Sequence, residues 1–193
     1  MARNYRERAH ASPVTLPAFF ARVPEAARRG AMLTVRGALL ALLFVPFLAW
    51  WRIDSAHYDY YLGADAYNEG DEDAIARLQD AVDADSSVMV YRMLLGQAQA
   101  LAFNETGRTN TPLIRAAVVN LEQAARLDAR SDIARANLAR AYQLAGREED
   151  AAREARSTRL ATHHVAPVLA VAEVYEDMGY DNDAISTYGQ VLS

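Results

Sequence analysis

The side chains able to do chemistry are few and poorly grouped. Histidine occurs four times, and only His163 and His164 are adjacent. Two imidazoles without a third ligand nearby fall short of the three or four that zinc takes, and the pair reads as a solvated turn. Carboxylates gather in Asp71–Glu72–Asp73 and Glu148–Glu149–Asp150. Paired acids can serve general acid–base work, but each run stands where a helix would begin and there complements the positive end of the helix dipole. Cysteine is absent, which removes disulfides, thiol nucleophiles and thiolate metal sites. All 20 basic residues are arginine, so there is no Walker lysine, Schiff-base lysine or kinase-type lysine. The nine glycines never take GxGxxG or GxSxG spacing. Asn104–Glu105–Thr106 matches a glycosylation sequon by accident, and Arg28–Arg29 lacks the surroundings of a twin-arginine export signal. No catalytic residue, metal, cofactor or small-molecule substrate is expected. A net charge of −5 argues against nucleic acid as a partner.

The elements that would carry these residues divide into two environments. Residues 1–51 hold seven Arg against Glu7 and Glu25, a net +5, whereas residues 52–193 hold 13 Arg against 23 acids, a net −10. Between them lies AMLTVRGALLALLFVPFLAWW, residues 31–51, with Arg36 its only charge. Its 21 residues reach roughly 31 Å at about 1.5 Å each, which matches the hydrocarbon thickness of a bilayer. Arg36 is close enough to one end to snorkel, avoiding the roughly 2.5–3.5 kcal/mol of a central charge. Trp50, Trp51 and the following Arg52 resemble the far interface, and Pro46 is tolerated in a spanning helix. The expectation is a transmembrane helix over 31–52.

A cleaved signal peptide would need small residues where the apolar run ends; Trp50, Trp51, Arg52 and Asp54 stand there instead. The Arg- and Ala-rich start also allows an organelle transit peptide, an alternative weakened by Glu7, Glu25 and the full-length span. The segment reads as an uncleaved signal anchor in a bacterial inner membrane, single-pass. The arginines before residue 30 place the N-terminus in the cytoplasm and everything after the span in the periplasm. Residues 1–30 read as a basic cytoplasmic arm. Pro13, Pro17 and Pro24 forbid one continuous helix there, while Leu16, Phe19, Phe20 and Val23 form a short apolar stripe. That stripe could lie on the membrane surface, with Arg28 and Arg29 toward anionic headgroups.

Beyond Asp54 the chain repeats itself. LGADAYNEGDEDAI from Leu62, LARAYQLAGREEDAA from Leu138 and VAEVYEDMGYDNDAI from Val171 share an apolar stretch, a Tyr, a Gly turn, acidic residues and then Ala. Gly63, Gly96, Ala139 and Ala172 are spaced by 33, 43 and 33 residues; Ala74, Ala117, Ala151 and Ala184 by 43, 34 and 33. One insertion explains both long steps: about nine extra residues between Gly96 and Ala117, centred on the polar NETGRTNTP of residues 104–112, which reads as an inserted loop.

This pattern resembles the tetratricopeptide repeat, a 34-residue helix–turn–helix whose helices touch through small residues. The resemblance implies an all-α fold: a transmembrane helix followed by an α-solenoid of about four repeats, near 56–87, 89–130, 132–163 and 165–193 within a repeat domain of residues 53–193. Leu78, Leu121, Ala155 and Tyr188 take the bulky position of the second helices, and Ala155 leaves the third repeat thinly packed. The sequence reaches Ser193 without the capping helix usual in such solenoids, so Ile185, Tyr188, Val191 and Leu192 are expected to form an apolar contact face covered by a partner or by further chain.

What the resemblance implies for function is protein binding. The family's groove positions fall on Tyr60 and Tyr67, on Val90, Met93 and Gln97, on Ile133, Arg140 and Gln143, and on Leu169, Glu173 and Glu176. Ordinary inter-helix packing is the equal alternative for any one of them. The groove would be aromatic near the membrane and acidic at the far end. The lysine clamp with which cytosolic relatives hold a terminal carboxylate is missing. Two roles follow. The first is a non-catalytic accessory subunit stabilising a larger inner-membrane complex of respiratory or photosynthetic type. The second is a periplasmic adaptor or chaperone for transient clients in secretion or cytochrome maturation. The expected partners are membrane-complex subunits and the lipid bilayer.

Overall fold

A computed structural model describes residues 25–192; the side chains of residues 25–33 and of Arg36 lie outside the description. The basic arm expected before the span therefore falls almost wholly outside the described residues. The described chain is helical throughout: α1 Glu25–Glu69, α2 Ala74–Ala84, α3 Met89–Glu105, α4 Thr111–Leu127, α5 Asp132–Leu144, α6 Glu148–Ala161, α7 Val165–Asp177 and α8 Asp181–Gly189. It divides into two compact units, Met1–Leu48 and Ala49–Ser193.

The first unit contains the apolar part of α1. Leu42 is 69 % exposed and Leu43 73 %, and Val35, Leu39, Leu40, Phe44, Val45, Phe47 and Leu48 are exposed as well. Pro46 stands inside the helix without ending it. A core helix of a soluble protein would be covered by its own chain, whereas no part of this apolar window is buried. The helix is long and apolar enough to cross a membrane.

In the second unit the helices form hairpins that stack into an α-solenoid. The end of α1 pairs with α2, α3 with α4, α5 with α6 and α7 with α8, while α3, α5 and α7 adjoin in turn as one layer. The small residues explain the close pairing. A Cβ on Gly63 would stand 2.7 Å from Leu78 Cγ, and one on Gly96 would stand 2.6 Å from Leu121 Cγ. Where the first helix carries Ala139, the facing residue of α6 shrinks to the fully buried Ala155. Bulk on one helix is matched by its lack on the other. Leu78, Leu95 and Leu121 are wholly buried, each worth about 1.5–3 kcal/mol. Two core clusters result, one under α1–α3 and one running from α3 to α8.

Each hairpin turns by the same hydrogen bond. Asp71, Arg108, Arg147 and Tyr180 donate their N–H to the carbonyls of Ala66, Phe103, Tyr142 and Tyr175, with Gly70, Gly107, Gly146 and Gly179 at positive φ in between. This closure corrects the reading of the insertion. The loop expected over 104–112 is helical at both ends: Asn104 and Glu105 finish α3, Thr111 and Pro112 open α4, and only 106–110 connect them. Gly107 lies eleven residues beyond Gly96, where Gly146 lies seven beyond Ala139, so α3 gains one helical turn before the same cap. Pro112 suits the opening of α4, where a missing N–H costs nothing. The insertion makes a taller hairpin.

The acidic runs separate in use. Glu148, Glu149 and Asp150 occupy the first turn of α6. Asp71–Glu72–Asp73 instead precede α2, and the Asp71 carboxylate accepts the N–H of Asp73 at 3.0 Å.

Candidate protein-binding groove

The layer of first helices presents stripes at three- and four-residue steps. On α3 these are Gln97, Leu101 and Asn104; on α5 they are Asn137, Arg140 and Leu144. Together with Tyr67 of α1, Ala100, and Leu121 at the floor, they line a cleft of about 190 Å³. Three residues expected from the sequence meet there, one from each of three helices: Tyr67, Gln97 and Arg140. Leu101, Asn104, Asn137 and Leu144 belong to the same cleft and were not singled out, although they share the helical stripe of Gln97 and Arg140. That periodicity was the available signal.

The other expected groove residues divide. Tyr60 is used within the chain, its ring stacked on Tyr91 at 4.9 Å. Met93 packs, half-buried, against the larger core cluster. Val90 and Ile133 are half-buried on α3 and α5. Gln143 is half-buried with its carboxamide oxygen shielded. On α7, Leu169 and Glu173 are exposed, and Glu176 accepts a hydrogen bond from Tyr188 Oη at 2.9 Å. Arg140 Nη1 lies 2.6 Å from Asp177 Oδ2, bridging α5 to α7 across the groove. Both side chains are over a third exposed, so solvent leaves this pair little net strength.

Below this layer the hairpins are locked by polar contacts. Tyr142 Oη donates to Glu122 Oε1 at 2.9 Å, and the Arg147 guanidinium lies 4.2 Å over the Tyr142 ring. Burial, followed by the bond to the Glu122 carboxylate, pushes the Tyr142 phenol up to about 12. Asn120 Nδ2 donates to Gln99 Oε1 at 3.0 Å, which satisfies two buried carboxamides between α3 and α4.

At the two ends of the repeats the surface is apolar or aromatic. Trp50 and Trp51 are exposed, as are Tyr58 and Tyr61. Arg52 turns away from them, donating to the carbonyls of Ala84 at 2.8 Å and Asp83 at 3.1 Å, where a cation complements the C-terminal end of α2. Of Arg28, Arg29 and Arg36 only the helical backbone is described. At the far end Ile185 is 70 % exposed and Leu192 88 %, while Tyr188 and Val191 are half-buried. His163 and His164 are exposed in the link between α6 and α7.

No family model matches the chain, and no curated protein is similar to it in sequence. Among solved structures it is similar to two crystal structures of MamA, a helical repeat protein, each with a TM-score of 0.56 at 20 % identity. The match covers 72 % of this chain in both cases, with 77 % of the MamA chain in one and 72 % in the other. The fold is tetratricopeptide-like. The long α1, the stacked hairpins and the absence of strands among the described residues make the chain an all-α solenoid.

Proposed function

We propose that this chain is a non-catalytic scaffold, anchored in a membrane by α1 and serving as an accessory subunit of a larger complex in that membrane. One observation carries the reading. α1, one helix from Glu25 to Glu69, carries an exposed apolar stretch that nothing among the described residues covers. Such a surface is stable in lipid and costly in water, at about 25 cal/mol per Å². The arginines before the span orient the N-terminus to the cytoplasm and the repeats to the periplasm. The groove and the apolar far end supply two surfaces for partners.

The test combines extraction and shaving. The protein should resist alkaline carbonate extraction from membranes, and protease added to intact spheroplasts should digest the repeats while the N-terminal arm stays protected. Release by carbonate, or protection of the repeats until lysis, would overturn the anchor or its orientation respectively. Co-purification in mild detergent at a fixed ratio supports a resident subunit. A substoichiometric, exchanging partner would instead select the client-binding adaptor.

A further inference from the structure

The cleft between α1, α3 and α5 sets two chemistries side by side. Its wall is apolar, formed by Tyr67, Leu101 and Leu144, with Leu101 42 % exposed. Its polar lining is largely carboxamide: Gln97, Asn104 and Asn137. Asn137 Nδ2 is shielded from solvent and donates to no group among the described residues; Gln143 Oε1, further along α5, is likewise shielded and accepts from none. Both atoms lie beneath the surface, so the carboxamides that meet an incoming chain are those of Gln97 and Asn104. A carboxamide offers one donor and one acceptor face, the complement of a peptide group rather than of any particular side chain. At about 190 Å³ the cleft suits one apolar side chain with its main chain and is too small for a helix.

The neighbouring helix supplies the charge. Glu173, Glu176 and Asp177 all lie close enough to the Tyr188 hydroxyl to act on it, and α7 carries no basic residue. Arg140, bound to Asp177, answers one of these three carboxylates, which leaves a local surplus of two. Packed helices stand about 8–10 Å apart and an extended chain advances about 3.3 Å per residue, so about three residues span the distance from α5 to α7.

We propose that the groove takes an extended peptide segment that places a bulky apolar side chain in the cleft and, about three residues away, an arginine or lysine against Glu173 and Glu176. The proposal rests on the protein-binding reading of this groove. The carboxamides of Gln97 and Asn104, which line the open cleft, hold the segment's main chain. An acidic tail is rejected, because it would meet like charge on α7.

Fluorescence anisotropy on the full chain in nanodiscs tests this with two labelled nine-residue peptides. One carries Leu at position 3 and Arg at position 6 in an alanine background; the other replaces that Arg with Glu. The Leu/Arg peptide should bind at least about tenfold more tightly, and Glu173→Arg should abolish or reverse the preference. Glu173→Gln, which keeps shape and removes the charge, should narrow it; Asn104→Ala should weaken both peptides. Equal affinities, a preference for the Glu peptide, or no binding of either overturns the proposal. A photo-crosslinker at Gln97 in native membranes separates that failure from failure of the groove reading. Capture of a partner there, with no discrimination between the peptides, removes only the proposed chemistry. Capture from position 185 and never from 97 removes the groove itself.

Discussion

Gly96 shows how much a single position decides. A methyl group on it would stand 2.6 Å from Leu121 Cγ and 3.1 Å from the carbonyl oxygen of Ala117, so the α3–α4 pair closes only because nothing is there. Gly96→Ala should therefore destabilise by about 1–3 kcal/mol despite the better helix propensity of alanine. With Leu121→Ala already in place the same change should cost far less, since the third repeat pairs Ala139 with Ala155 and packs both fully. Urea denaturation of the four-member cycle measures the coupling. Additive effects would mean that the two residues do not meet. Tyr60, expected in the groove, is instead stacked on Tyr91, whose ring also meets His57 of α1 edge-on at 5.7 Å and so sits in an aromatic cluster between α1 and α3.

Helices of this length are marginal alone and are held by what they pack against, so the contacts between hairpins decide stability. Tyr142 of α5 ties α4 through Glu122 and is covered by Arg147, which precedes α6. Its phenol ionises near 12 in the folded chain and near 10 in an unfolded one. The stability this gives is complete below pH 10 and is lost as pH rises toward 12, amounting to about 2 kcal/mol. Tyr142→Phe should flatten the decline between pH 10 and 12 and, by deleting the bond to the Glu122 carboxylate, cost about 1.5 kcal/mol at neutral pH. Chemical denaturation across that range, wild type against variant, checks it; parallel curves would deny the shared hydrogen bond. The taller α3–α4 hairpin acts at the same scale. Its extra turn supplies Asn104 to the cleft, so the insertion builds part of the groove wall.

At the scale of the whole molecule, a solenoid that exposes Ile185 and Leu192 at one end leaves an apolar surface on an otherwise acidic domain. The reading as a resident subunit assigns that end to a neighbour. Ile185→Asp with Leu192→Asp changes only exposed side chains and spares Tyr188, whose hydroxyl is engaged with Glu176. The double variant should fold and insert like the wild type and yet lose its partner during purification in mild detergent. Retention of the partner at the original ratio would show that the end is free and would shift the weight to the groove alone.

The amino-acid order alone determined the helical class, the apolar length of α1 and the positions of Gly63, Gly96, Ala139 and Ala172. Each depends on local periodicity or on one residue's size, and both are written along the chain. The resemblance to the repeat family also marked Tyr67, Gln97 and Arg140, which fall on that family's groove positions. Only the tertiary structure decided that these three share a cleft with Asn137 and Leu144, and that Tyr60 turns to Tyr91. Only it showed that both ends of 104–112 are helical, Asn104 and Glu105 in α3 and Thr111 and Pro112 in α4, with 106–110 between them. NETGRTNTP has loop composition, yet the i→i−4 bonds of α3 continue through Asn104 and Glu105 because the neighbouring helix offers surface for another turn, an influence no local window contains. The partner of an exposed face is decided one level higher still, since it depends on atoms that belong to another chain.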